Sequence, residues 1–111
     1  MNVITNDQLL SALQVCKDEH NITVEFADML LLICSRLANK PEHIHCIYKE
    51  SMIRYAWEVA CMNWHTFDST KSNNAFAYFH TMIIICFNQY IKLYNMDPNQ
   101  LNLLLKYINE H

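Results

Sequence analysis

Apolar residues return every three or four positions along most of this chain, a period that predicts helices nearly throughout. Leu9, Leu10, Leu13 and Cys16 or Lys17 follow Thr5 and Gln8, whose spacing is that of a capping box, so a first helix is expected from about Asn6 to Glu19. Thr23 is placed to cap a second helix whose apolar face holds Phe26, Leu30, Ile33 and Leu37, and which should stop near Asn39, ahead of Pro41. A third is expected from about Glu42 or Tyr48 to Trp64. Ile53, Ala56, Trp57, Ala60 and Trp64 share one side of it and predict a buried stripe; Ser51, Arg54, Tyr55, Glu58 and Met62 lie opposite.

From His65 to Asn74 the composition is that of a loop, and Asn73 or Asn74 can cap a fourth helix. That helix is apolar nearly all round to about Tyr94, as suits a central element packed on several sides. Phe67, Phe76 and Phe79 are expected in the core. Asp97 as N-cap, Pro98 at the first helical position, and Leu101, Leu104, Leu105 and Ile108 predict a short fifth helix over about 97–109.

Composition narrows the fold class. The chain has 111 residues, 52% of them hydrophobic, with two prolines and no glycine. Tight hairpins nearly always need glycine and helix connections do not, so one all-α domain is expected, a compact bundle of about five helices spanning 1–111. The formal net charge of -3 argues against a protein that binds DNA by itself, because Lys and Arg neutralising phosphates supply most nonspecific affinity. Cys16, Cys34, Cys46, Cys61 and Cys86 are odd in number, lack C-x-x-C spacing and mostly fall in apolar patterns. They read as small buried hydrophobes in a reducing cytoplasm. The start lacks the basic and apolar pattern of an export signal, and the longest apolar run, Met82 to Phe87, is too short for a bilayer. No membrane partner is expected.

Candidate chemistry is sparse. His43, His45 and Cys46 could offer metal ligands, but structural zinc sites draw paired ligands from two separated places and no second pair is evident, so a helix-entry cluster is the simpler reading. Glycine-rich phosphate or oxyanion loops are impossible here, and no local signature supports a Cys-His nucleophile. Neither a metal, a cofactor nor an enzymatic activity is expected.

The stretch Lys49 to Lys92 carries a likeness. Lys49, Met52, Ile53, Glu58, His65, Phe67, Asp68, Thr70, Lys71, Asn74, Ala77, Tyr78, Phe87, Gln89, Ile91 and Lys92 fall in register, without a gap, on a helix, polar corner and helix that resemble region 2 of the sigma factors of RNA polymerase, the late-promoter members from bacteriophages above all. The sigma region 2-like core covers about 42–95. Abundant Asn and Ile would suit the AT-rich genome of many phages.

The resemblance implies a phage-encoded sigma-like transcription factor that directs host RNA polymerase to phage late promoters. It implies that Glu50, Ser51, Arg54, Tyr55, Glu58 and Met62 grip the coiled coil of the polymerase β' clamp. It implies that Lys71, Tyr78, His80, Met82, Gln89 and Lys92 face promoter DNA within the holoenzyme, with Tyr78, His80 and Met82 exposed for stacking on unpaired bases. A phage coactivator or sliding clamp is a further implied partner, and polymerase would supply all catalysis. The tryptophan pair of primary sigma factors is replaced here by Met82-Ile83, and the basic tract after the phage helix by Leu93-Tyr94-Asn95-Met96. These departures keep an alternative open, a sigma mimic that binds or inhibits polymerase without reading DNA.

Overall fold

In a computed structural model, which describes residues 3–41, 43, 47–95 and 98–110, the chain forms α1 (Asn6–Glu19), α2 (Val24–Ala38), α3 (Lys49–Met62), a single 3-10 turn (Trp64–Thr66), α4 (Ala75–Tyr94) and α5 (Pro98–Glu110). The described residues contain no strand. The fold is an all-helical bundle, as the periodicity predicts.

Local chemistry sets the helix ends. The Thr5 side chain accepts the Gln8 amide while Gln8 Oε1 accepts the Thr5 amide, so both halves of the capping box form. Thr23 accepts the Phe26 amide and Asn74 the Ala77 amide, starting α2 and α4. With no glycine available, α1 ends on His20 in the left-handed conformation, φ 57°. That is the C-terminal cap position glycine usually fills, and His is among the residues that tolerate it. The Asp97 cap expected for α5 lies outside the described residues.

α3 packs against both α2 and α4, and α1 lies across α2 and α4; among the described residues α5 makes few contacts with the rest. The core joins Leu9 and Leu13 of α1, Phe26 and Leu30 of α2, Met52 of α3, and Phe79, Ile83 and Phe87 of α4, all within 2% of full burial. Phe26 meets Phe79 edge-on at 5.5 Å. Among the described residues no polar or charged side chain is buried. The start of α1 is fastened to that of α4: Asn6 Nδ2 donates to the Asn73 carbonyl at 2.8 Å, and Asn6 Oδ1 accepts the Phe76 amide at 3.0 Å.

The buried stripe of α3 differs from expectation. Met52, Ala56 and Ala60 are buried, whereas Ile53, Trp57 and Trp64 are only half-buried. Small side chains at 56 and 60 let α3 lie deep between two helices, which turns its larger residues to the edges. Trp57 there donates its indole N–H to the Ala27 carbonyl of α2 at 2.9 Å. Trp64 leaves the helical register because Asn63 ends α3, its Nδ2 donating to the Val59 carbonyl at 2.8 Å. Phe67 and Phe79 are buried as expected, and Phe76 is half-buried against the core.

Cys16, Cys34 and Cys86 are buried and Cys61 half-buried, all free thiols; Cys46 lies outside the described residues. Burial, reinforced by the neighbouring thiols of Cys61 and Cys86, pushes the Cys34 thiol up to about 12. Burial, with Glu58 nearby, pushes Cys61 up to about 11.

Candidate functional site

α3 presents one side to solvent because its other positions are taken by α2 and α4. Glu50, Ser51, Arg54, Glu58 and Met62 are exposed on that side, Met62 to 69%. Arg54 Nε donates to Glu58 Oε1 at 3.0 Å, an exposed ion pair one helical turn apart. Tyr55 differs from the rest of the expected set. It is half-buried against the core, its ring lies 5.7 Å from that of Tyr90, and its hydroxyl donates to Gln89 Oε1 of α4 at 3.3 Å.

That bond joins the two expected residue sets, since Tyr55 belongs to the first and Gln89 to the second. Tyr48 extends the seam, with its ring centroid 3.7 Å from Tyr94 and 5.7 Å from Tyr90. Tyr48, Tyr90 and Tyr94 had no part in the sequence-based site. Their signal was one of spacing: Tyr48 and Tyr55 lie seven residues apart, two helical turns, and Tyr90 and Tyr94 lie four apart, one turn.

The expected DNA-facing set does not form one surface. Successive residues of an α-helix advance by about 100°, which puts Tyr78, Met82, Gln89 and Lys92 on one side of α4 and His80 nearly opposite. Gln89 and Lys92 are exposed. Tyr78, His80 and Met82 are half-buried, correcting the expectation that all three are exposed. Tyr78 packs between Phe67, 5.4 Å away, and Phe79, 5.2 Å away, and its hydroxyl shares a hydrogen bond with that of Thr66. His80 instead borders a cleft of about 220 Å³ with Arg36, Lys40 and Phe76.

Lys71 is exposed in the corner before α4. Asp68 organises that corner: its Oδ1 accepts the Thr70 amide at 2.9 Å and the Thr70 hydroxyl at 2.6 Å. The Thr70 hydroxyl and then its amide hold the Asp68 carboxyl below its ordinary value. Lys17 of α1 anchors the corner from behind, its ammonium 5.9 Å above the Phe67 ring and 3.5 Å from the Ser69 hydroxyl.

His43 packs edge-on against Phe87 at 5.5 Å, while His45 and Cys46 lie outside the described residues. Among the described residues no three His, Cys, Asp or Glu side chains converge to hold a metal, and no helix is long and apolar enough to cross a membrane. No protein-family model, curated protein or solved structure matches the chain.

Proposed function

We propose that the chain is a sigma-like factor of phage origin that binds the core RNA polymerase of a bacterial host, in the host cytoplasm, through the outer side of α3. The observation that carries this reading is the exposed row Glu50, Ser51, Arg54, Glu58 and Met62, lying beside the Tyr55–Gln89 bond on a rigidly packed helix. Arg and Met amid charge, beside the half-buried rings of Tyr55 and Tyr90, is the composition of protein interface hot spots. In this reading the β' clamp takes the α3 face, and Gln89, Lys92 and Lys71 lie towards late-promoter DNA held by the polymerase, with a phage coactivator or sliding clamp as a further partner.

A second reading, the sigma mimic, draws on a separate observation. Tyr78 and Met82 are half-buried and His80 is on another side of α4, so the three stacking candidates offer no shared platform to unpaired bases. The formal charge of -3 favours it as well.

Comigration of the purified chain with core polymerase tests both readings, and absence of a complex overturns both. Run-off transcription from phage late promoters separates them, since a sigma factor directs initiation and a mimic only blocks it.

A further inference from the structure

We propose that the groove between α1 and α2 is a docking site for a basic amphipathic helix of a partner protein. It lies on different helices from the α3 face and does not depend on the polymerase reading. The groove is open and holds about 1320 Å³, beyond the roughly 300 to 1,000 Å³ of ordinary small-molecule sites. Val15 and Leu32 lie along it, 43% and 36% exposed, and Val3 and Val24 flank it at 65% and 78%. Single exposed apolar residues are ordinary on a surface; four converging on one furrow form a contiguous patch of the kind that marks an interface.

Charge identifies the occupant. Asp7 from α1 and Glu25 and Asp28 from α2 line the groove, and among the described residues no Lys, Arg or His does. Among the described residues none of these three carboxylates is in an ion pair. Asp7 and Glu25 stand in the first turns of their helices, where the helix dipole already favours an acid. Asp28 stands beyond the first turn, so the dipole does not account for it. Carboxylates contributed by both helices among exposed apolar side chains fit a helix that carries Lys or Arg on both sides of an apolar stripe. Nucleic acid is disfavoured by the same carboxylates. The chain's own α5 has an exposed apolar side but carries only Lys106 and Glu110 as charges, so a second copy lacks the flanking cations.

The test uses the full chain and a fluorescent helical peptide of about 18 residues with leucines at i, i+3, i+4 and i+7 and lysines on both flanks, read by anisotropy. A control peptide has glutamate in place of every lysine. We expect the lysine peptide to bind at least about tenfold more tightly than the glutamate peptide, and the Glu25→Lys/Asp28→Lys double variant to remove that preference. Val24→Ser should weaken binding of the lysine peptide, and Glu110→Lys, away from the groove, should not. Equal binding of the two peptides by the parent chain overturns the proposal, and this comparison stands even if the double variant fails to fold. Retention of the preference by a folded double variant overturns it too, as does a dimer in sedimentation that Val24→Ser dissociates while the lysine peptide goes unbound.

Discussion

Tyr78 and Thr66 share a hydrogen bond of 2.5 Å between their hydroxyls, which fastens the first turn of α4 to the 3-10 turn that follows α3. The bond holds the Tyr78 ring against Phe67 and Phe79. The ring is left only partly open to solvent.

Tyr78→Phe keeps the ring and removes the tether, costing about 0.5 to 1.5 kcal/mol of stability. Under the sigma reading it should open promoters at least as well as the parent, whereas Tyr78→Ala should open them less, scored by permanganate reactivity of thymines in the holoenzyme. Equal opening by all three forms would show that the Tyr78 ring takes no part, and absence of reactivity in all three, parent included, would favour the mimic.

Glu58→Lys should weaken comigration with core polymerase and leave thermal stability within about 0.5 kcal/mol, because Glu58 is exposed and gives up only a surface ion pair with Arg54. Tyr55→Ala is a poorer probe, since it also removes packing on Tyr90 and the bond to Gln89. A Glu58→Lys chain that binds polymerase as the parent does would sink the proposed docking face.

Trp57→Ala should destabilise by about 2 to 4 kcal/mol, towards the lower part of the range for large aromatics because Trp57 is half-buried. Trp57→Phe keeps most of the packing but leaves the Ala27 carbonyl without its donor, so about 1 kcal/mol should be lost. Denaturant titration of the three chains checks both values; equal losses for Ala and Phe would mean that the hydrogen bond, rather than packing, dominates.

His20→Val should lower stability by about 1 to 2 kcal/mol, since a β-branched residue is strained at φ 57°, and His20→Gly should lower it little or not at all. Thermal melts of the two variants give the comparison. A valine form as stable as the parent would show that the cap position relaxes.

Cys34 gives a pH dependence with a defined sign. Its thiol is pushed up to about 12 from the ordinary value of 9.0, so between those values the unfolded chain has released a proton that the folded chain retains. Its stabilising contribution is complete below about pH 8 and falls as pH rises from 9 towards 12. Cys34→Ala should flatten the alkaline fall in melting temperature, and the native thiol should resist iodoacetamide at pH 8 until the chain is unfolded. Rapid native alkylation of Cys34 would contradict its burial.

Much of the fold was legible in the sequence because the deciding signals are local. Thr5 with Gln8, Thr23 and Asn74 bond to amides within three residues, so α1, α2 and α4 begin where their cap residues place them. The absence of glycine and the 3.6-residue period pointed to an all-helical chain before any packing was known. What only the tertiary structure decided is how each helix is turned. A period specifies an apolar side but not how deep the helix sits, and the small Ala56 and Ala60 draw α3 inward until Met52 is buried and Trp57 lies at the α2 edge. The bonds from Tyr55 to Gln89, from Asn6 to Phe76 and from Tyr78 to Thr66 join residues 34, 70 and 12 positions apart. Such partners have no mutual spacing to read, because loop geometry and packing together set which helix faces meet. The helical period by itself puts His80 on a different side of α4 from Tyr78 and Met82, whereas only the tertiary structure takes the Tyr78 hydroxyl for the bond to Thr66.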